Sequence, residues 1–188
     1  MDQGISEGFN CTAPRRPPRV LVVDPNKRNL TVLMRRLGEA GYRVTAADSG
    51  GAAIAELHRQ PVDVVIAELY MPGMSGAELA RVVRGQAMWR DLPVMLVTGK
   101  SKPNGAVQAY EAGADDVILK PFHFEVLFAR IEARIARALA LQALRDDNAA
   151  LDARVVTRAI ELGELRERWL ASETERRRLE HLLGPRTA

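Results

Sequence analysis

Cysteine is all but missing from this chain: Cys11 stands alone among 188 residues. No internal disulfide can form, and a reducing cytoplasm is the expected setting. No histidine or other base neighbours Cys11 in sequence, so it reads as an unreactive thiol. Long apolar stretches are missing too. None approaches the ~20 residues that a membrane span requires, and the N-terminus lacks the charged start and apolar core of a secretion signal. His58, His123 and His181 are scattered, with no carboxylate or cysteine at ligand spacing, which argues against a zinc centre. All three read as incidental, although His123 falls just past a motif described below. Aromatic residues make up only 5% of the chain, and it has neither a helix-turn-helix nor a zinc pattern, so no nucleic-acid platform is expected. Net charge is +3. The pI of about 9.3 reflects a few arginines, namely Arg15, Arg16 and Arg19 near the start and Arg176, Arg177 and Arg178 near the end, which read as solvated charge. Gly73, Gly76, Gly99, Gly105 and Gly113 form no phosphate-binding glycine motif and read as turn and helix-boundary residues.

What the chain does have is alternation. Short β-branched runs at residues 19–24 (RVLVVD), 42–46 (YRVTA), 62–67 (VDVVIA), 93–97 (PVMLV) and 116–119 (DVIL) predict five strands. Between them, helices are predicted at about residues 27–37, 51–60, 75–84 and 104–112, with Gly41 and Gly113 placed to stop the first and the last. The first, third and fourth runs are almost continuously apolar, as expected of strands covered on both faces. Such βα repetition predicts a doubly wound parallel sheet, flavodoxin-like, in the order 2-1-3-4-5, with its pocket at the carboxyl ends of the first, third and fourth strands.

That pocket is where the chemistry concentrates. Residues 63–78 (DVVIAELYMPGMSGAE) run through a buried strand to a carboxylate, Glu68, then through Met71, Pro72 and Gly73 to a helix start at Ser75. Asp24 ends the first strand, Thr98 follows the fourth, and Lys120 precedes Pro121 and Phe122 after the fifth. These residues resemble the phosphoacceptor pocket of the two-component receiver domain, the CheY-like module of response regulators. The resemblance covers roughly residues 18–138. It implies that Asp24 is a pocket acid, Thr98 the pocket hydroxyl and Lys120 the pocket lysine. It also exposes three departures: Glu68 stands where the family places its acceptor Asp, Pro25 where it places a second acid, and Val117 where it places a switch aromatic.

Phosphoryl transfer to a carboxylate depends on positioning and charge neutralisation. Mg²⁺ demands near-octahedral oxygen ligation at ~2.0 to 2.1 Å, and Pro25 offers it no carboxylate. No cofactor is therefore expected, metal binding is expected to be impaired, and Glu68 is not expected to be phosphorylated. The longer arm of Glu68 is expected to reach toward Lys120 and Thr98 as a fixed negative charge. Tyr70 and Lys100, two residues past Glu68 and Thr98, are expected to flank the pocket mouth. Tyr110 and Val117 are candidates for a switch or interaction surface.

Proline is absent from residues 122–183 and glycine occurs there once, at Gly163, so a long helix is expected. Asn148, Leu151, Val155, Arg158, Leu162, Leu165, Trp169, Ser172, Arg176, Leu179 and Leu183 alternate by three and four residues, which is a heptad seam. Asn148 falls at a position where a buried Asn pair favours a parallel two-stranded register. Val156, Ile160 and Leu170 add a flanking apolar stripe. A helix folding back on the sheet, or onto a partner, is the alternative. The expected organisation is a lead-in at 1–18, a receiver-like domain at 19–138 and a coiled-coil extension at 139–188. Its expected role is a non-enzymatic interaction module that signals without phosphorylation, dimerises through the helix and meets a sensor kinase or output protein. The alternatives are a conventional phosphorylated regulator and a small-ligand sensor using the pocket at Lys120 and Thr98.

Overall fold

The computed structural model describes residues 16–99 and 104–183. Strands β1 (Arg19–Val23), β2 (Arg43–Ala47), β3 (Val64–Glu68), β4 (Val94–Gly99) and β5 (Asp116–Lys120) alternate with helices α1 (Lys27–Glu39), α2 (Gly50–Arg59), α3 (Gly76–Gly85), α4 (Gly105–Glu111) and α5 (Phe124–Leu183). All neighbouring strands pair in parallel, in the order β2-β1-β3-β4-β5. This is the flavodoxin-like sheet that the alternation predicts. Because the chain leaves β1 toward opposite edges, β2 on one side and β3 on the other, a crevice opens beyond the carboxyl ends of β1 and β3. Asp24 and Glu68 stand there.

The strands are apolar on both faces because both faces are covered. Leu21, Val23, Val65, Ala67 and Leu96 pack with Leu57 of α2, Leu79 of α3 and Ala109 of α4. Val20, Val22, Ile66, Met95 and Val97 pack with Leu33 and Leu37 of α1 and with Leu127 and Ile131 of α5. Most of these side chains are fully buried, and each Val, Leu, Ile or Met among them is worth roughly 1.5 to 3 kcal/mol of transfer free energy. Asp116 is the exception in β5: it is 3% exposed yet charged. Arg130 donates to its Oδ1 at 2.8 Å and Arg134 to its Oδ2 at 3.3 Å, so the ions that neutralise it also fasten the first turns of α5 to the sheet.

Arg19 begins β1 as the sequence predicts, its backbone N–H bonded to Asp63 at 2.6 Å. One local detail differs from the sequence expectation. A short 3-10 turn at Ala87–Trp89 interrupts the connection from α3 to β4. It buries Trp89 against His58, with ring centroids 4.6 Å apart in an edge-to-face arrangement, so His58 is a packing residue. Cys11, Arg15 and Lys100 lie outside the described residues.

The chain divides into two compact units, residues 1–139 and 140–188. In the second, the seam side chains are exposed: Leu151 at 54%, Val155 at 66%, Leu162 at 66%, Leu165 at 57% and Trp169 at 63%. Arg176, which interrupts the seam, is flanked along the helix by Glu173 at 2.9 Å and Glu180 at 3.8 Å.

One glycine determines how closely α3 approaches the strand below it. A Cβ placed on Gly76 would stand 2.5 Å from the backbone oxygen of Glu68 and 3.0 Å from the Cα of Leu69. Neither atom can move without disturbing the end of β3. Gly76→Ala is therefore expected to lower stability by about 1 to 3 kcal/mol, read as a fall in the urea midpoint. An unchanged midpoint would show that the loop relaxes freely.

Candidate functional site

Glu68 is the last residue of β3, with a side chain only 14% exposed. Its Oε2 accepts from Lys120 Nζ at 2.6 Å and its Oε1 from the backbone N–H of Tyr70 at 3.4 Å. Lys120 ends β5 and is joined to Pro121 by a cis peptide bond. The same ammonium lies 3.4 Å from Asp24 Oδ2. Two carboxylates from the ends of β1 and β3 thus converge on one lysine from the end of β5, a contact between residues 52 and 96 positions apart in sequence. Lys120 keeps 31% of its side chain exposed, whereas Asp24 keeps 5%.

Asp24 is held by more than the lysine. Its Oδ1 accepts from the backbone N–H of Asn26 at 2.8 Å, and its Oδ2 from the side-chain amide of Asn29 at 2.9 Å. Asn26 then caps α1 by accepting from the N–H of Arg28 at 2.9 Å. Sequence reasoning missed Asn29. An amide five residues after Asp24, on the first turn of the helix that Asn26 begins, was the available signal. Pro25 lies between these residues and supplies no side-chain oxygen.

Thr98 is buried at 1% exposure at the end of β4. Its hydroxyl donates to the carbonyl of Gly99 at 3.4 Å, so the expected reach of Glu68 is realised toward Lys120, while Thr98 turns to its neighbour. The loop after Glu68 is shaped by Gly73, with φ +75°, and by Ser75, which caps α3. Ser75 and Glu78 form a reciprocal pair: the Ser75 hydroxyl accepts from the Glu78 N–H at 3.2 Å, and Glu78 Oε2 accepts from the Ser75 N–H at 2.8 Å. The Ser75 backbone bond, followed by its hydroxyl, holds the Glu78 carboxyl below the ordinary carboxylate range.

The remaining candidates fall elsewhere. Tyr110 is 54% exposed on α4, whereas Val117 is only 9% exposed and packs into the core. His123 lines an open groove of about 300 Å³ between β5 and α5, together with Leu119, Val126 and Arg130. Among the described residues, no cluster of three or more His, Cys, Asp and Glu is placed to hold a metal ion. No helix among them is long and apolar enough to cross a membrane.

Comparison with known proteins fits this geometry. The sequence model of the response regulator receiver domain matches residues 20–132, more than half of the chain. A Mycobacterium tuberculosis transcriptional regulatory protein, KdpE, is 36% identical over 118 residues, 63% of this chain and 51% of KdpE. A Vibrio cholerae protein named "Probable cyclic di-GMP phosphodiesterase" is 31% identical over 148 residues, 79% of this chain and 33% of that protein. The chain therefore spans between a third and about half of these relatives. Among solved structures, the receiver domain of the Pseudomonas aeruginosa sensor histidine kinase PA1611 superposes with a TM-score of 0.60 at 28% identity, over 64% of this chain and 98% of that one. That domain has a magnesium ion coordinated in its active-site cleft. With the β2-β1-β3-β4-β5 sheet, the pocket at its carboxyl edge and the match over residues 20–132, the chain belongs to the response-regulator receiver domain family and carries a receiver domain of two-component signalling.

Proposed function

We propose that this receiver signals without being phosphorylated, as an interaction and dimerisation module. The observation that carries this reading is the 2.6 Å bond between Glu68 and Lys120. A receiver that accepts a phosphoryl group needs a carboxylate free to attack, a cation on the transferred oxygens and a lysine free to hold them. Here the acceptor-equivalent carboxylate and the lysine already occupy each other.

The same donors speak against a resident Mg²⁺. That ion keeps an octahedron of oxygens and dehydrates reluctantly. The residues present offer it Asp24, whose two oxygens already accept three protein donors, and Glu68, which is bonded to Lys120. Pro25 adds nothing. Lys120 supplies the positive charge in the ion's place, and no step of the proposed function passes through a metal. Calorimetric titration with MgCl₂ should give no saturable heat for the chain as it stands, and a saturable heat for the double variant Glu68→Asp with Pro25→Asp. Saturable binding by the unaltered chain would overturn this reading.

Residues 139–188 supply the second half of the proposal. Their exposed heptad seam fits a second copy of the chain, in a parallel two-stranded coil. The Vibrio cholerae relative aligns over 148 residues, more than residues 20–132 contain, so the likeness continues outside the receiver proper. A helix of this kind suits a signalling linker as well as a dimer contact. A sensor kinase or an output protein is the partner that such a module would serve. Within this reading the receiver is a binding surface rather than an enzyme.

A further inference from the structure

Tyr70 is tied to the pocket at one end and to α4 at the other. Its backbone N–H donates to Glu68 Oε1, on the carboxylate whose other oxygen holds Lys120. The residue is 40% exposed, and its hydroxyl reaches the first turn of α4. A Cβ on Gly105 would lie 2.8 Å from the Tyr70 hydroxyl oxygen and 3.6 Å from Cζ, with Leu69 Cδ2 at 3.1 Å. A methyl group at that point would push the phenol aside. Asn104, at the start of α4, makes no side-chain capping bond. β5 carries no aromatic side chain that could do the same from the other flank, since Val117 is small and packed in the core. On its outer side α4 presents Val107 and Tyr110, 55% and 54% exposed.

We infer that Tyr70 is a positioning residue through which the Glu68–Lys120 ion pair fixes the first turn of α4, and with it the apolar pair Val107 and Tyr110. Without Lys120 on Oε2 the Glu68 side chain is free to turn, its Oε1 is no longer held at the Tyr70 N–H, and the phenol no longer braces Gly105. The surface that responds lies on a different element from the charges that move it.

Hydrogen exchange on the full chain, followed at the amides of residues 105–111, tests this directly. Glu68→Gln keeps the size of the side chain and removes its charge, and should speed exchange in α4 several-fold. Tyr70→Ala should do the same, and the double variant should exchange no faster than Tyr70→Ala alone, because both changes act through one link. An α4 that ignores Glu68→Gln, or a double variant in which the two effects add, overturns the inference. A second arm tests the contact itself: Gly105→Ala should lower the melting temperature of the parent chain by more than that of Tyr70→Phe, since removing the hydroxyl leaves the methyl group only the 3.1 Å contact with Leu69 to relieve. Equal losses in both backgrounds would also overturn it. The inference rests on the ion pair and not on the absence of phosphorylation. A mass gain from a phosphoryl donor would defeat the proposed function and leave the α4 measurement to stand or fall separately.

Discussion

After incubation with acetyl phosphate and Mg²⁺, the mass of the chain is expected to stay unchanged. Three effects act together. Glu68 carries one methylene more than Asp, which displaces its carboxylate by roughly 1 Å, and a displacement of that size can cost ~10²-fold in a positioned reaction. Its Oε2 must also leave Lys120, now at 2.6 Å, before it can attack. Two unit charges 4 Å apart attract by about 4 kcal/mol at an effective dielectric constant near 20. Lys120 retains 31% side-chain exposure, so solvent screens part of this, but every 1.36 kcal/mol that remains is about tenfold in rate. Finally, Pro25 withholds a carboxylate from any ion that would neutralise the transferred group. Restoring Glu68→Asp alone shortens the arm and leaves the ion unsupported. Glu68→Asp with Pro25→Asp should recover metal binding first and phosphoryl uptake second, because both carboxylates are needed to organise the ion. The result that would sink this expectation is a stoichiometric gain of one phosphate by the parent chain that disappears when Glu68 is changed.

Much of this pocket was legible in the sequence because parallel βα folds put the ends of particular strands together. Once residues 19–24, 62–67 and 116–119 are read as strands, Asp24, Glu68 and Lys120 must meet at one edge of the sheet, whatever the loops do. The sequence could not say which donors each carboxylate would choose. Thr98 and Lys120 were both within conceivable reach of Glu68, and only the register of Glu68 beside Val97 in β4 leaves Thr98 bonded to Gly99 instead. Asn29 was illegible for another reason. Its role depends on the angle at which α1 leaves Asn26, and helix-entry geometry is set by packing of Leu30, Leu33 and Leu37 as much as by the cap itself. Asp116 shows the same limit. A charged residue opening a strand reads as exposed, and its burial became tolerable only because Arg130 and Arg134, fourteen and eighteen residues later, come back over it. The Tyr70–Gly105 contact joins the loop after β3 to the first turn of α4, a pairing that period-based reading leaves blank.

Removing the residues after about Ala140 is expected to convert a dimer into a monomer without unfolding the receiver. The unit ending at Leu139 contains the whole sheet together with the α5 residues that cover it, Leu127 and Ile131, both fully buried. Beyond it, the exposed seam has little reason to stay helical in isolation other than a partner helix. Leu151→Ala with Leu165→Ala removes two seam leucines per chain, each worth ~2 to 5 kcal/mol when buried, enough to dissociate a moderate dimer. In such a dimer the polar seam positions would set the direction of pairing. In a parallel coil Asn148 meets Asn148 of the second copy and the two amides satisfy each other, whereas an antiparallel coil would set the amide against an apolar side chain, at about 1 to 3 kcal/mol for the unpaired group. Arg176 would be harder to accept at the seam, except that Glu173 and Glu180 already neutralise it along its own helix. Asn148→Val should therefore keep or raise stability while loosening register or oligomer state. Sedimentation equilibrium at tens of micromolar separates the outcomes. A monomeric full-length chain would show that the seam serves another partner, and a truncated chain that stays dimeric would move the interface to α4, near the exposed Tyr110 and Val107.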